Sequence, residues 1–305
     1  MHGADYPVWT RDGRDWPNRD ASDFITAGGL RWHVQRLGTG PALLLLHGTG
    51  LATHSWRALL PLLAEQFMVV APDLPGHGFT EAPPASRMSL PGMARLVGSL
   101  LQELDITPVL AAGHSAGAAI AAQMILSGQM APRGLISLNG AMLPLRGPPS
   151  HLFAPLAKVI AGCSLFPRLF AWHASDGSVV ERLIRNTGST IEPSGIEFHR
   201  RLTESPGHVA AALSMMANWD LRQLERDLPR LDAPLLLIAG KGDRAIPLQD
   251  AYRVRLLASQ ATVVELPRLG HLAHEEQPLL IAGYIIDFAR RLGVLSEDRQ
   301  PKVSF

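Results

Sequence analysis

Cysteine is almost absent. Cys163 is the single one in 305 residues, so no disulfide can form within the chain, and the sequence fits a reducing, cytoplasmic compartment. Cys163 itself reads as a small buried apolar residue. An excess of one charge is missing too: 28 Lys and Arg stand against 27 Asp and Glu, with no basic run, which argues against nucleic acid as a partner. The N-terminal stretch "MHGADYPVWTRDGRDWPNRDAS" carries acids, arginines and prolines where a secretory signal needs an apolar core. An uninterrupted membrane-length apolar run is also lacking. The most apolar long segment, "HLFAPLAKVIAGCSLFPRLFAW" (151–172), contains Lys158, Arg168, Pro155 and Pro167, and charges at that depth are costly in a bilayer. It reads as a segment that lies against a membrane surface or covers an apolar pocket. Nucleotide-binding glycine loops and metal-ligand clusters do not occur, so no cofactor is expected for the chemistry.

What is present is a globular composition, with 47% hydrophobic and 18% charged residues. Apolar runs that stop at glycine or a turn residue alternate with helical spacing. "LRWHVQRLG", "PALLLLHG", "FMVVAPD", "PVLAAGHS", "GLISLNG", "APLLLIAGKGD" and "ATVVELP" read as strands. "HSWRALLPLLAEQF", "SLPGMARLVGSLLQELD", "AGAAIAAQMILSG" and "LAHEEQPLLIAGYIIDFARRLG" read as helices, the first with Pro61 positioned to kink or end it. Such alternation implies a mainly parallel sheet covered on both faces. It stops between Gly140 and about Asp220, where a Pro-, Gly- and aromatic-rich stretch reads as an insertion over the strand carboxyl ends, where ligands bind. "SEDRQPKVSF" reads as a loose tail.

The chemistry gathers at strand ends. "AAGHSAGAA" places Gly113-His114-Ser115-Ala116-Gly117 between a strand and a helix, the setting of a nucleophile elbow. Ser115 then sits in a strained turn, and a Cβ at 113 or 117 would collide with neighbouring elements. The N–H of Ala116, at the helix N-terminus, points at a substrate carbonyl oxygen. A serine hydroxyl needs a base, and among 12 histidines His271 in "LPRLGHLAHEE" follows the last strand and precedes the final helix. His274 falls inside that helix, facing away. His271, His274 and Glu275 lack the spacing of a metal site. The carboxylate that orients the base comes from one of two strand ends; Asn139 carries no charge, and Asp243 in a Gly-rich turn is the candidate. "LLLLHGTG" supplies the second oxyanion donor, Thr49 or alternatively Gly50, with His47 bracing the loop. Asp73 in "APDLPGHG" reads as a loop-shaping acceptor.

Together "HGTG", "APDLPGHG", "GHSAG", "GKGD" and "LGHLAHEE", in that order, resemble an α/β-hydrolase. The resemblance implies a mainly parallel central sheet with helices on both faces and a helical cap inserted after the sixth strand. The core then takes 1–144, with 1–21 as an N-terminal arm, and 220–305; the cap takes 145–219. A serine at 115 argues against dehalogenases and soluble epoxide hydrolases, which use an aspartate there. "HGTG" without a following Pro-Gly weakens a match to carbon–carbon bond hydrolases. "DWPNRDAS", "VVAPDLPGHGFT", "GHSAGAAIAAQM", "NGAMLP" and "HVAAALSMMANWDL" resemble one branch, the magnesium chelatase accessory proteins of bacteriochlorophyll biosynthesis. That resemblance implies a role at or near magnesium insertion, a small apolar or tetrapyrrole substrate, chelatase subunits as partners, and a place in the cytoplasm, peripheral to a photosynthetic membrane.

Residues expected to touch substrate are His114, Phe153, Phe170, Met215 and Trp219; Leu156, Leu165, Phe166, Trp172 and Met216 could line the same apolar cavity. A non-catalytic porphyrin-binding or chelatase-assisting role on a hydrolase scaffold is the alternative. His208, in "SPGHVAAAL", reads either as a ligand-reaching group, even an axial ligand to a metal, or as a surface or capping histidine.

Overall fold

The structure is a computed structural model that describes residues 5–144, 167–169, 171 and 177–296. Cys163, Phe153, Phe170, the other residues of 145–166 and 172–176, and the tail beyond 296 lie outside the described residues.

Among the described residues eight strands form one sheet: β1 (Ser22–Ala27), β2 (Leu30–Leu37), β3 (Ala42–Leu46), β4 (Met68–Pro72), β5 (Leu110–His114), β6 (Gly134–Leu138), β7 (Leu235–Gly240) and β8 (Ala261–Leu266). Their spatial order is β1-β2-β4-β3-β5-β6-β7-β8. The first two strands run antiparallel to their neighbours and the rest are parallel. β1 escapes the sequence reading, which starts at Leu30. Its signal is the Gly28-Gly29 pair, both at positive φ (58° and 79°), which closes a two-residue hairpin.

The helices whose bounds fall within the described residues are α1 (Trp9–Asp12), α2 (Leu59–Ala64), α3 (Leu90–Glu103), α4 (Ala116–Leu126), α5 (Gly177–Asn186), α6 (Pro193–Thr203), α7 (Pro206–Ala217), α8 (Arg222–Asp227), α9 (Leu248–Leu257), α10 (Ala273–Glu276) and α11 (Pro278–Arg291). Among the described residues none is long and apolar enough to cross a membrane. Two expected helices come out broken. "HSWRALLPLLAEQF" divides into a 3-10 turn, Thr53–Trp56, and α2; Pro61 sits in the first turn of α2, where its missing N–H is not needed. The final helix breaks at Gln277 (φ −140°, ψ 67°), because a residue before proline is driven out of the helical region and Pro278 cannot donate.

Two cores lie on the two faces of the sheet, and the pleat of β3 sorts its leucines between them. Leu44 and Leu46 join α3, α4 and α8 on one face, whereas Leu43 and Leu45 join α2 and α11 on the other. Helices α5 to α7 follow β6 and form the cap. A small cluster of Leu51, Val180, Ile184, Ile191 and Leu272 ties the cap to the loops after β3 and β8. The N-terminal arm straps cap to core. Trp16 is 2% exposed and donates to Thr53 Oγ1 (3.0 Å), Ser205 Oγ donates to the Asp5 carbonyl (2.7 Å), and Arg201 pairs with Asp15 (2.6 Å).

Candidate active site

Ser115 lies between β5 and α4 with φ 51° and ψ −118°, a conformation that side-chain-bearing residues avoid. The turn is possible because of its glycines. A Cβ on Gly113 would stand 2.3 Å from the Ala118 nitrogen, and one on Gly117 would stand 2.0 Å from the Leu46 carbonyl oxygen. Gly48 is the third contact, since a Cβ there would come within 3.0 Å of the Ser115 Cβ. The HGTG loop after β3 therefore lies directly against the serine. Ala116 opens α4, whose first amides have no partner within the helix. Thr49 and Gly50 make no backbone N–H hydrogen bond to protein among the described residues.

Three separate contacts hold that loop. His47 bridges the Leu74 N–H, which donates to its Nε2 (2.8 Å), and the Gly48 carbonyl, which accepts from its Nδ1 (2.8 Å). Asp73 Oδ1 accepts from the Thr53 amide (2.7 Å), while Oδ2 accepts from the Phe79 amide (2.9 Å) and from His33 Nδ1 (2.8 Å). Burial alone would raise the Asp73 carboxyl, but the His33 ring and these donors outweigh it and hold it far below the usual range. The third contact comes from the cap. His208 accepts the Gly78 N–H at Nδ1 (3.1 Å) and donates from Nε2 to the Gly50 carbonyl (3.1 Å). With 1% exposure and both nitrogens engaged, His208 is neither a metal ligand nor a surface histidine, and burial pushes it down to about 4. His208→Phe strands a carbonyl and an amide, and is expected to lower stability by about 1–3 kcal/mol, read as a fall in Tm.

His271 stands in the loop after β8. Its Nδ1 donates to Asp243 Oδ2 (2.8 Å), which leaves Nε2 with its lone pair. The His271 backbone is fixed on both sides, by His114 Nε2 donating to its carbonyl (2.9 Å) and by its own amide donating to the Thr187 carbonyl (3.4 Å). Asp243, after β7, also receives the Ala245 and Ile246 amides at Oδ1 (2.8 Å each) and Asn139 Nδ2 at Oδ2 (2.6 Å). Asn139, at φ 47° beyond β6, is the functional neighbour that the sequence reading discarded for its lack of charge.

Ser115 and His271 line one cavity of about 260 Å³. Gly48, Thr49, Gly50, Leu51, His114 and Leu272 complete its core side; Val180, Leu183, Ile184, Thr187, His199 and Thr203 complete its cap side. Of the expected substrate contacts, His114 is on the wall but 1% exposed, its ring packed between His271 and His274. Met215 and Trp219 are not among the lining residues. Met215 is fully buried in the main core and accepts from Thr49 Oγ1 (3.6 Å), while half-buried Trp219 packs on the same core. Met216 is 45% exposed.

The remaining polar residues of "LGHLAHEE" face inward. His274 Nε2 meets Ser55 Oγ (2.7 Å), as expected of a residue turned away from the loop, and burial pushes it down to about 3. Glu276 accepts from the Gly270 amide (2.8 Å). Glu275 accepts from Ser55 Oγ (2.7 Å) and His199 Nε2 (3.1 Å) and pairs with Arg57. Among the described residues no cluster of three or more His, Cys, Asp or Glu could hold a metal ion.

The sequence pattern of the alpha/beta hydrolase family matches residues 43–283, from β3 into α11. The chain belongs to the alpha/beta hydrolase family. Within it, the chain is 36% identical to the Magnesium-chelatase 30 kDa subunit of Rhodobacter capsulatus over 276 residues, covering 90% of this chain and 96% of that protein. It is 25% identical to a 2-hydroxy-6-oxo-2,4-heptadienoate hydrolase of Pseudomonas putida, covering 85% and 93%. Among solved structures, an alpha/beta hydrolase fold protein from Burkholderia ambifaria superposes with a TM-score of 0.75 at 26% identity, covering 88% of this chain and 98% of the other. The epoxide hydrolase CorEH shares the alpha/beta hydrolase fold at a TM-score of 0.74 and 23% identity, covering 89% and 99%.

Proposed function

We propose that this protein is a serine hydrolase that cleaves an ester-like acyl bond and serves tetrapyrrole synthesis at or near magnesium insertion. The observation that carries the chemistry is the convergence of the strained Ser115 and the Asp243-bound His271 on one cavity. Ser115 Oγ attacks the carbonyl carbon while His271 Nε2 takes its proton. The oxygen left negative accepts hydrogen bonds from the Ala116 amide and from that of Thr49, with Gly50 as the alternative donor. His271 returns the proton to the leaving oxygen. Water, activated by the same imidazole, then releases the acyl group and restores the serine.

The place in metabolism rests on the identity to a protein named as a chelatase subunit, over nearly all of both chains. In this reading the substrate is a small apolar or tetrapyrrole ester, chelatase subunits are the partners, and the protein works in the cytoplasm beside a photosynthetic membrane.

Labelling with a fluorophosphonate probe tests the chemistry. The wild type is expected to label, and Ser115→Ala and His271→Ala are not. A second reading, a porphyrin-holding protein on the same scaffold, is favoured by the chelatase-subunit name of that relative. Unlabelled but folded wild type, together with saturable fluorescence quenching by micromolar protoporphyrin, would establish it instead.

A further inference from the structure

On the cap side of the cavity a second histidine is held by a second buried carboxylate. His199, on α6, lines the cavity and is 6% exposed; its Nε2 lies 3.1 Å and 3.3 Å from the two oxygens of Glu275. Glu275 is itself immobilised by Ser55 and Arg57, with its side chain fully buried. Burial would raise the Glu275 carboxyl, but the hydrogen bond from His199 and the Arg57 guanidinium outweigh it and hold it well below its ordinary value. An ionised carboxylate has no hydrogen to give, so Nε2 of His199 meets it as the donor. In the neutral ring the other nitrogen, Nδ1, is then an acceptor. It has no hydrogen-bond partner among the described residues, and the residue lines the cavity. One helical turn further on, Thr203 lines the same cavity, and its hydroxyl hydrogen goes to the Arg200 carbonyl (2.9 Å), so the oxygen it presents is an acceptor as well. The same cavity is also lined by the apolar side chains of Leu51, Val180, Leu183, Ile184 and Leu272.

We propose that His199, fixed by Glu275, and Thr203 form a specificity subsite that accepts a hydrogen bond from a hydroxyl or amide N–H on the substrate, at the end remote from the reacting carbonyl. The proposal rests on the hydrolase reading for its reacting carbonyl and adds the class of substrate: an acyl compound with an apolar middle and a donor at its far end. The Glu275 contact decides this polarity. It spends the ring's N–H inside the protein and leaves a lone pair for the ligand.

The test compares matched substrates differing by one hydroxyl: p-nitrophenyl hexanoate against 6-hydroxyhexanoate, and hexyl acetate against the monoacetate of hexane-1,6-diol. In at least one pair the wild type is expected to favour the hydroxylated member roughly tenfold in kcat/KM, the worth of one well-made hydrogen bond. His199→Phe keeps the ring's shape without its nitrogens and should bring that ratio to about one. His199→Gln retains a donor for Glu275 and an oxygen for the cavity, and should keep part of the preference; Thr203→Val is the second variant should His199→Phe fail to fold. Calorimetry of Ser115→Ala with hexanamide and 6-hydroxyhexanamide reads the same discrimination without turnover. Equal rates within both pairs, equal affinities for the two amides, or a preference untouched in His199→Phe overturns the subsite. A serine that turns over neither ester while the amides are still discriminated overturns the hydrolase and leaves the subsite standing.

Discussion

Ser115→Ala is expected to abolish ester hydrolysis, with kcat lower by about 10⁴–10⁶-fold and the far-ultraviolet circular dichroism unchanged. Asp243→Asn is expected to cost nearly as much, about 10⁴-fold, although it changes a single atom. The reason lies in the acceptor count at this carboxylate. Oδ2 takes hydrogen bonds from both His271 Nδ1 and Asn139 Nδ2, and Oδ1 takes two backbone amides. An amide at 243 must set its NH2 against donors whichever way it turns. If it faces His271, the imidazole is forced into the tautomer that has a hydrogen on Nε2, where the serine proton should go. If it faces Ala245 and Ile246, the turn that carries residue 243 loses its two acceptor contacts. Retention of more than a few per cent of kcat by either variant would remove Ser115 and Asp243 from the mechanism.

The second large effect concerns acid. His54, His77 and His114 are fully enclosed and burial holds each well below its usual value; burial likewise brings His208 to about 4 and His274 to about 3. The folded chain does not take up these five protons as pH falls below the usual histidine value, but the unfolded chain does. Stability is therefore complete above about pH 6.5 and is lost as pH falls from there toward the folded values. Each group contributes about 1.4 kcal/mol per pH unit, so five make roughly 7 kcal/mol per unit at most, as large as the whole stability of many domains. Acid unfolding is expected to set in as pH falls through the ordinary histidine range, above the range of ordinary carboxylates. Asp73 and Glu275, whose carboxyls are lowered, add to the loss only below about pH 4. Thermal melts between pH 7.5 and 4.5 check this. A Tm that stays flat down to pH 5 would mean that the histidines find protons, and so water, in the folded state. His54→Phe should flatten the curve in particular, because neither ring nitrogen of His54 has a hydrogen-bond partner among the described residues.

The sequence by itself determined what is local in the chain. Ser115, Asp243 and His271 each stand just beyond the end of an apolar run, and a parallel sheet with fixed connections brings such ends to one edge, so their meeting follows from order and spacing. The glycines at 113 and 117 were legible for the same reason, since a strand that turns directly into a helix leaves no room for side chains there. His47 and Asp73 could be assigned to loop bracing from their turns alone. Contacts between distant segments were decided only by the tertiary structure. His199 and Glu275 lie 76 residues apart, Gly50 and His208 lie 158 apart, and no spacing rule links a cap helix to a distant helix or loop of the core. Asn139 looked like a failed acid because charge was the criterion, and its value as a donor appears only once Asp243 is 2.6 Å away. That Met215 and Trp219 lie in the core rather than on the cavity wall was not legible for a different reason: an apolar helix face reads alike whether it turns toward a ligand cavity or toward the core. Only the packing, which puts Ala211 and Met215 of α7 in the main core, settles which way that face turns.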